Sequence, residues 1–227
     1  MNSGMLLAID SATHCINLAL HDGHEVIAEH SWRSAKHHSA GLPPMVERML
    51  TQGGPELAAM AVAAGPGSFT GLRIGVAFAK GLAAARSIPL VAVSTQDILA
   101  AALPPCPDHA LLILLSAGRK RYIASRFLHC KGRWQANGDE TLTDLETLLR
   151  PPMAPTCVAG ELDACARDRL ARAQAAGSPL QLASPALSLR RAGFLAEIAH
   201  ERLREGAPDD FDPGMVTARY IATRDTP

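Results

Sequence analysis

The chain has 227 residues, enough for one large domain or two small lobes. Apolar residues make up 48% and charged ones 19%, which excludes a disordered chain. The 22 basic and 22 acidic residues cancel, and a zero net charge argues against a protein that holds RNA by phosphate neutralisation alone.

Cys15, Cys106, Cys130, Cys157 and Cys165 form no Cys-x-x-Cys pair and are odd in number, which predicts reduced, mostly buried thiols. The first four residues carry no basic leader. No apolar run approaches the roughly 18 residues of a membrane span. A soluble, cytoplasmic protein without membrane contact is expected.

Residues 5–10 and 15–20 are apolar runs, and Asp22-Gly23 separates the second from residues 25–30. Asp-Gly suits a hairpin turn because the turn needs positive φ. A three-strand meander therefore opens the chain. Leu42, Met45, Val46, Met49 and Leu50 then recur at helical spacing, with Pro43 and Pro44 fitting only a first turn. Gly53-Gly54-Pro55 closes that helix. Residues 58–64 read as a strand covered on both faces, 72–85 as a helix and 89–93 as a strand. Ser94 is placed to cap a further helix, with Asp97 at the capping-box position.

Three strands followed by alternating helices and strands predict an α/β fold, a five-stranded mixed sheet of the ribonuclease H-like type. Lobes of that kind build the actin, hexokinase and Hsp70 (ASKHA) superfamily. Three prolines in residues 103–107 mark a linker. Beyond it, strands at 110–115, 121–128 and near Arg133 repeat the meander. A helix near 144–149, a strand at 156–159 and helices around 161–175 and 188–205 follow. Two unequal lobes are expected: residues 1–104, and a smaller, degenerate lobe at 105–227 whose last segment is free to pack back on the first.

The densest motif is Gly65-Pro66-Gly67-Ser68-Phe69-Thr70-Gly71-Leu72-Arg73-Ile74-Gly75. A glycine-rich turn between strand and helix can cradle phosphate on outward N–H groups. It lacks the P-loop lysine and the dinucleotide spacing. A tight connection without a ligand is the other reading. Ser68 fits an N-cap, since Gly-Ser-Phe-Thr-Gly is not a nucleophile elbow. Gly71, Gly75, Ala79 and Ala83 recur every four residues. Such a stripe suits close packing on the chain's own sheet, or a helix–helix interface.

The glycine run, continuing through Val76-Ala77-Phe78-Ala79-Lys80-Gly81, resembles the segment shared by the TsaB (YeaZ) family and its catalytic paralogue TsaD. Residues 7–13, His38 with Pro44-Met45-Val46, and the segment from Asp212-Pro213 to Arg219-Tyr220 resemble the same family. The resemblance implies a non-catalytic partner subunit for tRNA N6-threonylcarbamoyladenosine synthesis. It would bind the TsaD-type paralogue, with a TsaE-type ATPase subunit as a further partner and a functional link to the threonylcarbamoyl-adenylate synthase. A homodimer is the other pairing the family shows. Most tRNA contact would come through the complex.

The chemical positions fit that role. Superfamily members that use ATP hold phosphate on an Asp-x-Gly-x-Thr-like turn, and here Asp10-Ser11-Ala12-Thr13 puts Ala12 at the glycine. Ser116 stands where the second lobe's acidic residue is expected. Asp10, Ser11, Gly65 and Gly67 remain as a vestigial phosphate site. No cofactor is expected, and nucleotide only at the boundary with the partner. The catalytic paralogue carries two histidines four apart on its first helix. Here His37 and His38 are adjacent, and no His-x-x-x-His pair exists, so no metal site is expected. The alternative is an ASKHA ATPase or small-molecule kinase, and a metalloprotease ranks below that. Leu42, Met45, Met49, Gly71, Gly75, Val76, Ala79 and Lys80 are the partner-interface candidates. The Arg119-Lys120-Arg121 cluster reads as a solvated hairpin, or as a surface for tRNA or a partner's acidic face.

Overall fold

The computed structural model describes residues 4–33, 38–52, 56–105, 108–150 and 154–220. Two compact units divide the chain: residues 1–98 with 191–221, and residues 99–190 with 222–227. The division expected at 104/105 thus falls at 98/99 instead. The stretch beyond 190 belongs to the first unit, because its helix covers that unit's sheet.

In unit 1, β1 (Met5–Asp10), β2 (Cys15–His21) and β3 (Val26–Arg33) form the antiparallel meander. At its second turn Asp22 Oδ1 accepts from the N–H groups of His24 and Glu25 at 2.8 and 2.9 Å, and Gly23 takes a φ of 96°. Then come α1 (His38–Gln52), β4 (Leu57–Gly65), α2 (Phe69–Arg86), β5 (Leu90–Ser94) and α3 (Thr95–Ala101), whose residues from Leu99 onward belong to unit 2. β4 lies parallel between β1 and β5, giving the sheet order β3-β2-β1-β4-β5.

Two details depart from expectation. α1 begins at His38, so Pro43 and Pro44 lie in its second turn. Each proline lacks the N–H that would bond a carbonyl four residues back, and both rings face solvent. Ser94 Oγ accepts from the Gln96 N–H at 3.3 Å, whereas the Asp97 carboxylate turns to Arg202, 3.6 Å away, instead of closing a capping box. The expected end of α1 at Gly53-Gly54-Pro55, together with His37 and Cys106, lies outside the described residues.

Unit 2 contains β6 (Ala110–Ser116), β7 (Arg121–Cys130), β8 (Arg133–Ala136), β9 (Thr141–Asp144), α4 (Leu145–Leu148), β10 (Thr156–Gly160), α5 (Ala164–Ala175) and β11 (Leu180–Leu182). Its path β8-β7-β6-β10-β11 repeats the order and strand directions of the first sheet. The copy is reduced where expected: α4 has 4 residues against the 15 of α1. β9, pairing with β7 off this path, is an addition, and β9 and β11, with four and three residues, are too short to show as a pattern. The two lobes have the ribonuclease H-like topology of the ASKHA superfamily.

Every residue of β1 is buried, and alternation sends its side chains to two different cores. Met5, Leu7 and Ile9 pack with Leu42, Val46 and Met49 of α1 and with Val76, Ala79 and Ala83 of α2. Leu6 and Ala8 face the opposite way, toward Ala192, Leu195, Ala196 and Ala199 of α6 (Ala192–Glu205). That second core is lined by Ala19, Ala59, Ala61 and Ala63, so alanine on both sides lets helix and sheet approach closely. Two 3-10 turns, Pro208–Phe211 and Pro213–Met215, lead to the last described segment.

α6 lacks a side-chain cap of its own, and β3 supplies one. Glu29 Oε1 accepts from the Gly193 N–H at 2.8 Å, and its Oε2 accepts from Arg191 Nε at 2.9 Å. The carboxylate lies at the positive end of the helix dipole. Further along, the rings of His21 and His200 meet with centroids 4.8 Å apart. His21 Nδ1 accepts from the Gly23 N–H at 2.9 Å. In unit 2, Arg190 and Glu161 form an almost fully buried ion pair.

Glu29→Ala removes the cap and leaves Arg191 without this acceptor. Denaturant unfolding of that variant should read about 1–2 kcal/mol less stable, with Glu29→Gln in between. Burial lowers the pKa of both His21 and His200. The unfolded chain therefore binds these protons more readily, so stability is full above about pH 6.5 and declines as pH falls below it. His200→Gln should flatten that decline in urea titrations between about pH 7 and 5; an unchanged slope rules the pair out as its cause.

Candidate functional site

The functional candidates converge where β1 ends and α2 begins. β1 and β4 are neighbours, so the turn after β1 and the glycine run after β4 emerge side by side at their carboxyl ends. In open α/β sheets ligands sit at that end of the strands. Here the two turns are bonded to each other. The Ser68 N–H donates to Ala12 O at 2.6 Å, and Ser11 Oγ donates to Gly71 O at 2.8 Å. Ser68 caps α2 as expected, its Oγ accepting from the Gly71 N–H at 3.4 Å.

The glycines mark backbone contacts within unit 1. A Cβ at Gly67 would lie 2.3 Å from Ala12 O, one at Gly71 would lie 2.2 Å from Ser11 O, and one at Gly75 would lie 2.1 Å from Ser11 Oγ. Gly65, at a φ of 111°, would bring a Cβ within 2.2 Å of Arg219 O. Asp10 is buried, with Oδ1 accepting from the Ala12 N–H at 2.9 Å and Oδ2 from Asn17 Nδ2 at 3.2 Å. The four vestigial phosphate-site candidates are therefore brought together, but around main chain: Ser11 is spent on Gly71, and Gly65 and Gly67 are closed over by carbonyls.

The interface candidates need correction. Leu42 and Met49 are fully buried, and so is Ala79, while Val76 is 6% exposed. All four pack into the core between helices and sheet. Gly71 and Gly75 face the turn after β1. Lys80 Nζ donates to Gly214 O and Val216 O at 3.0 and 2.8 Å, latching the last segment to α2. Met45 is half-buried at the edge of that core. The period-four stripe of small residues is explained by sheet packing. The outward faces carry other residues: Ala77 and Gly81 are exposed, and Ile74 and Phe78 are half-buried.

Sequence reasoning passed over a neighbouring cavity. It has a volume of about 590 Å³ and lies at the carboxyl ends of β4 and β5, lined by Ala64, Gly65, Ser94, Asp97, Arg202, Thr217, Arg219 and Tyr220, among others. The Arg219 N–H donates to Ala64 O at 2.7 Å, fixing the last segment as its wall. Burial pushes the Asp97 carboxyl up, against the opposing pull of Arg202 and Arg219. Asp97 was visible only as a helix-capping residue, and Arg202 and Arg219 are over a hundred positions away in sequence.

In unit 2 the Gly118 to Arg121 turn holds Arg119 and Lys120 at φ of 50° and 59°, and the Arg121 N–H donates to Gly118 O at 2.9 Å. Ser116 ends β6 and is exposed. Of the described cysteines, Cys15 and Cys157 are half-buried, but Cys130 and Cys165 are exposed, so the expectation of mostly buried thiols fails. Among the described residues no three His, Cys, Asp or Glu side chains are grouped for a metal ion. No described helix is long and apolar enough to cross a membrane.

A family model described as "TsaD: tRNA N6-adenosine threonylcarbamoyltransferase" matches residues 26–201. The chain belongs to that family. Within it the chain resembles proteins of the TsaB (YeaZ) branch. A tRNA threonylcarbamoyladenosine biosynthesis protein TsaB of Escherichia coli is 42% identical over 99 residues, covering 42% of each chain. The Bacillus subtilis protein of that name is 41% identical over 99 residues, covering 42% of this chain and 43% of its own. The chain thus spans less than half the length of the curated relatives it matches. YeaZ from Pseudomonas aeruginosa has the same fold over 96% of this chain and 100% of its own, with a TM-score of 0.76 and 25% identity.

The packing separates the glycine in the turn before α2 from one inside the helix. Gly67→Ala should cost about 1–3 kcal/mol in thermal or denaturant unfolding, because the Ala12 carbonyl must move. A Cβ at Gly81 would meet nothing within 4 Å. Gly81→Ala, at an exposed helix-interior position, should gain about 0.5–1 kcal/mol. Equal effects would sink the packing explanation.

Proposed function

We propose that this chain is a non-catalytic partner subunit in the synthesis of N6-threonylcarbamoyladenosine on tRNA, acting by binding a TsaD-type catalytic paralogue. The names of the relatives support the pathway. The observation that carries the subunit role is the closure of the turn after β1. Phosphate-handling relatives of this fold need open main chain there, whereas here Ala12 O accepts from the Ser68 N–H and abuts Gly67. Asp10 is taken up by the Ala12 N–H and Asn17, which disfavours a role in holding a hydrated cation. The reading includes no cofactor, with nucleotide only at a boundary with the partner.

The surface for that partner is the outward side of α1 and α2. Met45, Ile74 and Phe78 are half-buried around exposed Ala77 and Gly81, a patch with little side-chain bulk where another helix can come close. A TsaE-type ATPase and the threonylcarbamoyl-adenylate synthase complete the system, in the cytoplasm, and the paralogue makes most of the tRNA contact. The same face would serve a homodimer in the paralogue's absence.

Threonylcarbamoyl transfer to tRNA should be measured with the paralogue, ATPase and synthase present, with and without this chain. Transfer should require the mixture, and the chain alone should give none. Ala77→Arg, at an exposed position, should abolish co-elution with the paralogue while leaving the melting temperature unchanged. A rate that ignores this chain sinks the partner role. Tight magnesium-dependent ATP binding by the isolated chain would instead favour the ATPase alternative.

A further inference from the structure

Unit 1 carries a three-membered stack on its surface, where the first turn of α2 meets the last described segment. The Arg73 guanidinium lies 3.6 Å from the centroid of the Phe69 ring. The Phe69 and Tyr220 rings are 5.2 Å apart, inclined at 43°. Phe69 is 53% exposed and Tyr220 41%, so two large aromatic side chains, held against each other, face water together. Scattered exposed aromatics are ordinary; a joined pair with an arginine over one ring is a built surface. Arg73 is exposed as well, so the stack is open at both ends. Tyr220 also lines the cavity that holds Ser94, Asp97, Arg202 and Arg219. Arg202, Arg219 and the Asp97 carboxylate therefore lie in the cavity beside the stack.

We propose that Arg73, Phe69 and Tyr220 form a stacking platform for an unpaired base of single-stranded RNA, with Arg219 beside it to meet the adjoining phosphate. Aromatic rings and guanidinium planes are the surfaces on which splayed bases stack, and stacking tolerates any base. The cationic border fits a phosphodiester strand. The chain's zero net charge then has a specific consequence: few phosphates are neutralised, so stacking supplies most of the affinity. Which RNA meets the platform rests on the proposed function, where it is an unpaired stretch of the tRNA. The platform itself does not depend on a catalytic partner.

The test is fluorescence anisotropy of a labelled single-stranded RNA of about 12 nucleotides with the full chain, against the same strand annealed to its complement. Phe69→Ala and Tyr220→Ala should each weaken single-strand binding roughly fivefold or more, and Arg73→Lys less, since it keeps the charge but loses the plane. The duplex should bind more weakly than the single strand. Affinity should fall with salt at a slope of about 1–2 on logarithmic axes, shallow for an RNA binder. All three side chains are exposed, and unchanged melting temperatures would confirm that the variants fold. The proposal is overturned by no wild-type binding up to about 1 mM protein, by variants within twofold of wild type, or by equal duplex affinity. Displacement by millimolar AMP with the strand's own affinity unmoved by the variants would assign the stack to a free nucleotide instead. Variants that lose the TsaD-type paralogue yet keep RNA affinity would make it a protein contact. Failure of threonylcarbamoyl transfer without failure of RNA binding sinks the partner role and leaves the platform standing.

Discussion

Two main-chain turns in unit 1 lie so close that no side chain fits between them, and most of the unit is organised around that approach. The turn after β1 offers the carbonyls of Ser11 and Ala12. The turn into α2 answers with the Ser68 N–H, with glycines at 67, 71 and 75, and with Gly71 O as acceptor for the Ser11 hydroxyl. This contact sets where α2 starts and which of its faces meets the sheet. Val76, Ala79 and Ala83 then fall against Met5, Leu7 and Ile9 without further instruction. The same closure lies at the carboxyl ends of β1 and β4, the end of the strands where ligands sit in open α/β sheets.

The first lobe was readable because its strands and helices are long enough for their periods to show. Five strands, the hairpin at Asp22-Gly23 and the capping Ser68 all follow from local rules. The second lobe was less legible, since β9 and β11 have 4 and 3 residues, too few for alternation to register. Whole-chain partnerships were invisible. Glu29 caps a helix 164 positions away, and Lys80 reaches carbonyls beyond position 210. Neither has a sequence pattern, because the pairing is made by the fold.

The site shows the same division. Glycine density marked a close main-chain contact but not its cause, since a glycine needed for phosphate and one needed for a neighbouring carbonyl look identical in one dimension. Likewise the stripe at 71, 75, 79 and 83 fits an intramolecular or an intermolecular neighbour equally well, and burial decided for the former. Phe69 was read as part of a glycine motif, although it is the one large side chain in that turn directed to solvent. Its ring partner, Tyr220, comes from the opposite end of the chain.

The return of residues 191–221 to the first unit makes the second unit an insertion within it. On the ribosome the alanine-lined face of the first sheet therefore emerges long before α6, the helix that covers it. Unit 2, contiguous through residue 190 apart from its last few positions, can close while unit 1 still waits with one apolar face open. During synthesis the lobe that appears first is thus completed last, and through that interval Ala8, Ala59 and Ala61 lack the helix that covers them in the finished fold.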